Sequence, residues 1–408
     1  MAEYKGINYL RSKLEQKRKG VIKRYRYYDM KNIARDLNIS TPPELRWFMG
    51  CLGWCGKAVD SLADRLAVRG FRNDNFNLEE IFNLNNPDVL YSSAIHGALV
   101  SACDFIYISQ DGDGYPRLQV IDGGNATGIL NPIVGMLDEG YAVLERDEHE
   151  NPTIEAYFIK GQTQYHYKGI NGVQVFKNNA PYPLLVPIIY RPDASRPFGH
   201  SRISRACMDL TNSALRTIKR SEIAAEFYSY PQKYITGLSG DAELQDKWKA
   251  TMSAMMTFTK DEDGDAPTLG QFSQQSMTPH LEQLKMFASL FAGECGLTLD
   301  DMGFPTSNPS SAEAIKSAHE NLRLNAKKAQ RSFGSGFLNA GYLAACLRDN
   351  TSYKRNQFYL TEARWMPIFE PDASQMSGLG DALVKIDQAA PGSITTELLE
   401  DLTGFTLE

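Results

Sequence analysis

Two acidic turns that contain glycine are the segments of this chain best suited to bind a cation. They read Asp111-Gly112-Asp113-Gly114 and Asp261-Glu262-Asp263-Gly264-Asp265, and closely spaced carboxylates are ligands that Ca²⁺ prefers. An EF-hand loop needs glycine at its sixth position, where this sequence has Pro116 and Ala266. The pattern therefore favours tight turns, and we predict no metal site.

The histidines and cysteines also lack the spacing of a zinc or nucleophile motif. No His-Glu-x-x-His segment and no Cys-x-x-Cys pair occurs in the sequence, and these are common ways to hold zinc. The Gly-x4-Gly-Lys-Ser/Thr loop that binds nucleotide phosphates is missing as well. The cysteines, which form no disulfide framework and which we expect to be reduced, stand at 51, 55, 103, 207, 295 and 346. The sequence therefore predicts a protein that is not an enzyme and uses no cofactor.

Length and composition indicate a globular protein with several structural units. The chain has 408 residues, of which 42% are hydrophobic and 23% charged, enough for about two to four units. No apolar run reaches about 18 residues, the length that suggests a membrane-spanning helix, and the N-terminus lacks the apolar region of a signal peptide. We therefore expect no membrane association.

The net charge of -6 conceals a basic N-terminal segment. Residues 1–31 carry ten Lys/Arg against Glu3, Glu15 and Asp29, which leaves the remainder close to -13. Clustered Lys/Arg can bind nucleic-acid phosphates by releasing counterions. The same segment also has apolar residues at helical spacing, so an amphipathic helix with a solvated basic face is the alternative. The acidic remainder argues against tight binding of DNA.

The first half of the sequence predicts helices followed by strands. One helix should open at Pro42-Pro43-Glu44-Leu45 and end at Gly70-Phe71, and a second should run from Pro87 to about Cys103. Pro181 to Pro197 looks like an extended return segment. Short strands broken by Gly, Asn and Asp are predicted at 104–109, 117–121, 141–146, 153–159, 162–167 and 173–176. This order is typical of an α+β protein.

The second half predicts two helices that flank a small insert. Residues 199–228 have helical spacing, and Thr278-Pro279 supplies an N-cap and first-turn pair for a helix that ends near Cys295. Between them we predict a strand at 232–236, a short helix from Asp241 and a further strand at 256–259. The arrangement is helix, small αβ insert, helix.

A polar loop and a long helix follow. Ser310 and Glu313 fit a capping box, and Pro309 disfavours helix before them. If the helix continues to about Asn350, it is on the order of 60 Å long. The apolar stripe of this helix consists of Ile315, Ala318, Leu322, Ala326, Ala329 and Phe333. We expect a kink where the stripe is interrupted by Gly334, Gly336 and Gly341.

This order of elements, together with five local strings, resembles the portal proteins of tailed bacteriophages, in particular the siphophage type. The resemblance covers the chain from about residue 27 to the end. The strings are Pro43-Glu44-Leu45-Arg46, residues 59–66 with Gly70-Phe71, residues 196–203, residues 226–232, and Asn308-Pro309-Ser310-Ser311-Ala312.

The resemblance implies a portal fold with a wing of helices and strands, a two-helix stem, a small αβ clip, a tunnel loop and a long kinked wing helix. The implied parts are a wing at 1–200, stem helices at 201–228 and 278–296, a clip at 229–277, a tunnel loop at 297–312, a long wing helix at 313–350, and a C-terminal wing or short crown at 351–408. The C-terminal stretch leaves little room for a large crown.

The candidate functional residues follow from these parts. Those expected to line the DNA channel at the tunnel loop are Asp300, Asp301, Thr306, Ser307, Asn308 and Ser310, although a loop without DNA contact is the alternative. Lys316, Arg323 and Lys327 on the long helix should pair with acidic residues of neighbouring subunits or face DNA. Candidate docking residues in the clip are Trp248, Asp261, Glu262 and Asp263.

The implied function is that of a ring at one capsid vertex through which double-stranded DNA is packaged and ejected. The implied partners are other copies of the chain in a ring of twelve, the terminase large subunit, a head-completion adaptor, the major capsid and scaffolding proteins, and non-specific, transient DNA. The protein is expected in the virion, and in the host cytoplasm during assembly. The alternative is a structural head or tail protein that forms no ring, and a more distant one is a DNA-processing enzyme.

Overall fold

The protein is an α+β protein, as predicted. The computed structural model describes residues 4–35, 43, 47, 50–170, 172–229, 233–236, 268–271, 276–305, 312–369, 371 and 373–405. The chain forms two compact units, the first made of Met1–Asn32, Gly53–Met208 and Ala292–Glu408, and the second of Ile33–Leu52 and Asp209–Phe291.

The basic N-terminal segment of the first unit is an amphipathic helix, α1 (Ile7–Tyr28). Its apolar stripe includes Leu10 and Leu14, which are buried against Tyr141, Val143 and Tyr157. Some basic side chains of α1 form ion pairs with carboxylates of the same chain, as in Arg11–Glu155 and Arg18–Glu150. The interpretation as an amphipathic helix is confirmed.

Three short helices and one strand follow α1. They are α2 (Trp54–Ala63), β1 (Val68–Arg72), α3 (Leu78–Asn83) and α4 (Pro87–Ser101). The predicted helix from Pro42 to Gly70-Phe71 is therefore too long, because residues 50–53 are not helical, the α-helix begins at Trp54, and Gly70 already pairs with Arg364 in a sheet. The Pro87 helix is confirmed, and it ends before Ala102, whose φ is +86°.

Two antiparallel sheets contain all six predicted strands. One has the order β3-β2-β9, and the other is a meander in the order β4-β5-β6-β7-β8. The bounds are β2 (Cys103–Gln110), β3 (Pro116–Ile121), β4 (Ala126–Leu130), β5 (Leu137–Arg146), β6 (Pro152–Ile159), β7 (Gln162–Tyr167), β8 (Val173–Lys177) and β9 (Leu185–Ile189). The sequence did not predict β4, and β9 lies within the segment expected to be extended.

The boundary between the two units falls within two long helices. These are α5 (Arg205–Ser229), which crosses the boundary after Met208, and α6 (Thr278–Cys295), which crosses it before Ala292. In the second unit, Thr217 Oγ1 and Gln283 Oε1 are 3.1 Å apart and join α5 to α6. A two-stranded sheet pairs β10 (Lys233–Thr236) with β11 (Thr268–Gln271).

The predictions for the second half are confirmed in part. The second helix has the expected bounds, whereas the first begins at Arg205 and not at Gly199. The helix predicted from Asp241 and the strand at 256–259 lie outside the described residues. The division into wing, stem, clip and crown stays a prediction.

The long helix of the first unit is divided into two helices well before its glycines. It consists of α7 (Ala312–Ala318) and α8 (Glu320–Arg348), and the break falls at His319. The helix is continuous through its glycines, because these make room for neighbouring elements. A Cβ on Gly336 would lie 2.8 Å from Ile188 of β9, and one on Gly341 would lie 3.1 Å from Leu78 of α3. The helix has no break at these glycines, and the kink expected there stays a prediction.

The C-terminal part of the chain returns to the beginning of the first unit. It contains β12 (Glu362–Trp365), α9 (Ala373–Ala389) and α10 (Thr396–Thr403), and β12 pairs with β1. In α10, Glu400 and Asp401 form ion pairs with Arg364, and Asp401 also pairs with Arg72. No helix in the described ranges is long and apolar enough to cross a bilayer.

Candidate functional site

The beginning of the predicted tunnel loop is fixed to the junction between α7 and α8. After α6 ends, a 3-10 turn at Asp300–Met302 leads to Gly303, whose φ is +83°. Asp301 Oδ2 accepts hydrogen bonds of 2.9 Å from both the backbone N and the Oγ1 of Thr298. The same oxygen lies 3.2 Å from His319 Nε2. Asp301 therefore connects the loop to the residue at which the long helix is divided.

The environment of Asp301 keeps its carboxylate ionised. Partial burial acts to raise the pKa of Asp301, but the hydrogen bonds from Thr298 and His319 outweigh that effect and lower it. Both carboxylate oxygens are thus close to groups of the same chain. Whether Asp300 and Asp301 also line a DNA channel stays a prediction. Four more predicted channel residues, Thr306, Ser307, Asn308 and Ser310, lie outside the described residues.

The three cations predicted on the long helix differ in their surroundings. Arg323 donates two hydrogen bonds of 2.6 Å to Glu320, one turn earlier on the same helix. This pairing raises the pKa of Arg323 and lowers that of Glu320. Lys316 lies in α7, whereas Lys327 lies in α8 and is exposed. The charge of Arg323 is therefore largely compensated within its own chain, and Lys327 is the more available of the two on α8.

Two neighbours of Lys327 were not among the predicted functional residues. Lys328 and Arg331 are also exposed, and at helical spacing they lie on the same side of α8. We call the exposed residues Leu324, Lys327, Lys328, Arg331 and Ser335 the α8 ridge. The spacing could have revealed this ridge, because these positions lie outside the buried stripe of Leu322, Ala326, Ala329 and Phe333.

A groove runs along each side of the α8 ridge. The first groove has a volume of about 570 Å³ and includes Lys327, Arg331, Arg355, Glu362 and Trp365. The second has a volume of about 790 Å³ and includes Val134, Ile189, Arg191, Lys328 and Arg331. Both grooves therefore combine basic and apolar side chains.

A buried arginine organises the segment before α5, one of the strings that carry the family resemblance. Arg202 donates from Nε to Ala58 O at 2.9 Å and from Nη2 to Cys295 O at 2.6 Å. It thereby joins α2 to the last turn of α6. Nearby, Gly199 has a φ of +78°, and a Cβ there would lie 2.1 Å from Tyr190 O. Residues 201–203 of this string therefore belong to the core of the first unit, whereas Arg196 and Pro197 are exposed.

Of the two acidic turns, the structure describes only the first, at 111–114. Asp111 Oδ1 accepts hydrogen bonds from Asp113 N at 3.1 Å and Tyr115 N at 2.8 Å, and Asp111 Oδ2 accepts one from Arg117 at 2.9 Å. The first segment is therefore a turn, as predicted. The second turn, together with the predicted clip residues Trp248, Asp261, Glu262 and Asp263, lies outside the described residues.

The cysteines are free thiols, as expected. Cys207 of α5 and Cys295 of α6 are buried with their Sγ atoms 3.4 Å apart. Among the described residues, no group of three or more His, Cys, Asp or Glu side chains is arranged to hold a metal ion.

Comparison with known proteins gives relatives of a single kind. The portal protein of Mycobacterium phage L5 is 22% identical over 405 residues, which cover 94% of this chain and 82% of the relative. The portal protein of Mycobacterium phage D29 is 22% identical over 404 residues, which cover 93% of this chain and 81% of the relative. No protein-family model matches the sequence.

Solved structures of gene transfer agent particles are more distantly similar. A chain of the native virion aligns with 95% of this chain and 99% of its own length, at 13% identity and a TM-score of 0.46. A chain of the native neck, whose structure was computed with C12 symmetry, aligns with 92% of this chain and 97% of its own length, at 13% identity and a TM-score of 0.45. These scores are too low to carry an argument, so the relationship rests on the two phage sequences. Along nearly its whole length, this chain is a relative of the portal proteins of tailed bacteriophages.

Proposed function

We propose that the protein is a portal protein that forms a closed ring at one capsid vertex and conducts double-stranded DNA during packaging and ejection. The observation that carries this proposal is the alignment with two portal proteins over more than nine-tenths of the chain. A match of that extent favours the function of the whole relative over that of one shared domain.

The charge of the chain supports a conduit. Each Lys/Arg contact with a phosphate adds affinity that depends on salt, and a channel must let the duplex slide. Outside residues 1–31 the chain is close to -13, and part of the basic charge of α1 is paired with carboxylates. The predicted channel stretch from Asp300 to Ser310 contains two acids and no Lys or Arg. A duplex would meet little there that could hold it.

The proposed partners follow from the same role. Copies of the chain would form a ring of twelve, and the clip at 229–277 would bind the terminase large subunit during packaging and a head-completion adaptor afterwards. The major capsid and scaffolding proteins would surround the ring. The protein would assemble in the host cytoplasm and remain in the virion. This role requires no chemistry from the chain itself.

The mass of the purified assembly tests the proposal. A closed ring of twelve 45.6 kDa chains is expected by native mass spectrometry, with a central opening in images along the ring axis. A stable monomer at micromolar concentration would instead support the alternative, a head or tail protein that forms no ring. A chain that lacks residues 238–270 should still form rings but no longer capture terminase or adaptor. Loss of rings in that variant would contradict the proposed limits of the clip.

A further inference from the structure

The α8 ridge is a basic surface with little negative charge of its own chain beside it. Lys327 acts electrostatically on Glu320, but that carboxylate is already bound by Arg323. Within the described ranges, Lys327, Lys328 and Arg331 form no hydrogen bond or ion pair. Many other arginines are paired with carboxylates, in the pairs Arg11–Glu155, Arg18–Glu150, Arg72–Asp401, Arg117–Asp111, Arg323–Glu320, Arg348–Asp349 and Arg364–Glu400. In a chain with a net charge of -6, three adjacent cations that form no ion pair of their own suggest that their partner is another molecule.

The two grooves extend this basic surface on both sides. Arg355 contributes to the first groove, where its Nε donates to Asn339 Oδ1 at 3.0 Å. Arg191 contributes to the second. Each groove also contains one acid. Glu362 in the first is exposed, whereas Asp193 in the second is already bound by His200, Ser195 and Arg196. The surface as a whole remains strongly basic.

The apolar part of the surface favours a protein partner over DNA. The first groove contains Leu338 and Trp365, and the second contains Pro187 and Ile189. Beside the second groove, Ile133 is 92% exposed. A phosphate backbone offers these side chains nothing to bury, whereas protein interfaces combine apolar contacts with charged rims.

We infer that the α8 ridge and its two grooves bind an acidic segment of a neighbouring copy of this chain. The inference rests on the proposed ring, in which each copy presents one surface to the next in a head-to-tail arrangement. Charge complementarity identifies the occupant, because the remainder of the chain is close to -13 and supplies the carboxylates that the ridge lacks. Complementary charges of this kind guide association and fix the register of the subunits.

Charge reversal tests the inference. The variant Lys327→Glu/Lys328→Glu/Arg331→Glu should need at least about tenfold more protein to form rings, because like charges would then meet at the interface. The milder variant Lys327→Gln/Lys328→Gln/Arg331→Gln should show a smaller loss in the same direction. Circular dichroism and thermal melting of the unassembled chain establish that each variant is folded.

A control variant with the same change in charge shows whether the loss of rings is specific to the ridge or follows from any equal change in net charge. Lys19, Lys23 and Arg26 are exposed on α1, so Lys19→Glu/Lys23→Glu/Arg26→Glu carries an identical substitution set on another helix. This control should form rings at wild-type concentrations. Equal loss in both triple variants, or normal rings from the ridge variant, would overturn the inference. If the wild type itself forms no rings, the proposed function fails as well.

Two further measurements identify the partner. Zero-length carbodiimide cross-linking of rings that mix isotope-labelled and unlabelled chains should join Lys327 or Lys328 of one copy to an Asp or Glu of another. A filter-binding assay with a short DNA duplex tests whether DNA is the partner instead. Normal rings with a loss of duplex binding in the ridge variant would assign the surface to DNA and refute the inference.

Discussion

Asp104 is a carboxylate held in the interior of the first unit. Only 2% of the residue is exposed, and its Oδ1 accepts hydrogen bonds from Ser101 Oγ at 2.7 Å and Gly123 N at 2.9 Å. Burial, together with the nearby charge of Asp122, raises the pKa of Asp104 to about 8. The hydrogen bonds from Ser101 and Gly123 and the charge of Lys17 in α1 act in the opposite direction but do not compensate. The folded protein therefore favours a proton on this side chain at pH values where an unfolded aspartate is ionised.

This proton gives stability a definite pH dependence. In the unfolded chain the pKa of an aspartate is about 3.9, so between that value and about 8 the folded state binds the extra proton. The contribution of Asp104 to stability is therefore largest below the unfolded pKa, and it declines as the pH rises towards the folded pKa. We expect the melting temperature of the wild type to fall between pH 5 and pH 8 through this group.

The variant Asp104→Asn should reduce that dependence. An asparagine keeps the Oδ1 acceptor for Ser101 and Gly123 but cannot ionise, so its melting temperature should fall less over the same pH range. Asp113→Asn, in an exposed turn, is the control and should retain the wild-type slope. Parallel slopes for Asp104→Asn and the wild type in differential scanning calorimetry would refute this interpretation.

At the scale of elements, the connection between Asp301 and His319 links the beginning of the predicted tunnel loop to the long helix. His319 lies between α7 and α8, with Nδ1 2.8 Å from Ile315 O and Nε2 3.2 Å from Asp301. A change in the loop could therefore reach the end of α8 through one side chain. The rest of α8 is held by its buried stripe and is not expected to depend on this bond.

Loss of this connection should loosen the loop locally. In the variant Asp301→Asn, the loss of a charge-assisted hydrogen bond should lower the free energy of local opening by about 1 to 2 kcal/mol. Hydrogen exchange measured by mass spectrometry should then be faster at 298–305 and 315–320 and unchanged at 333–347. His319→Ala should have the same effect. Glu320→Gln, which removes an exposed pair beside it, is the control and should leave the exchange at 298–305 unchanged.

Because the pKa of Asp301 is lowered, its contribution has the opposite pH dependence to that of Asp104. It is present above the pKa of an unfolded aspartate, and it is lost as the pH falls through the folded pKa. Acidification should therefore make exchange at 298–305 faster in the wild type, after correction for the intrinsic rate. Equal acid sensitivity in Asp301→Asn would contradict the role assigned to this carboxylate.

At the scale of the whole molecule, the distribution of charge is the property that would let DNA pass. The variant Thr306→Lys/Ser307→Lys/Asn308→Lys adds three cations to the predicted channel loop of each copy. If this loop borders the duplex, rings of the variant should retain DNA with a steeper salt dependence than wild-type rings, since each phosphate contact adds to the slope.

Packaging should be slower for the same reason, and a DNase protection assay of packaged DNA can measure it. The control is Ser377→Lys/Ala382→Lys/Gln388→Lys, which adds three cations at exposed positions of α9. Unchanged salt dependence and packaging in the loop variant would place residues 306–308 away from DNA.

Sequence patterns were most informative where local chemistry determines structure. The helix at Thr278–Cys295 was predicted from its N-cap and proline, and the six strands from alternation and turn residues. The functional residues were less accessible. Arg323 was recognised as a cation, but its pairing with Glu320 became visible only in the structure. Lys328 and Arg331 of the α8 ridge were not among the predicted functional residues, because the grooves beside them became visible only in the structure.

The sequence by itself determined the α+β class, most helices and strands, the charge asymmetry and the resemblance to portal proteins, because these depend on periodicity, capping and composition. Only the tertiary structure decided that α8 stays continuous through Gly334, Gly336 and Gly341, since β12, β9 and α3 pack where side chains would otherwise stand. It also decided that the break falls at His319 and that Asp104 is buried. These features depend on contacts between residues far apart in the chain, which local patterns do not encode.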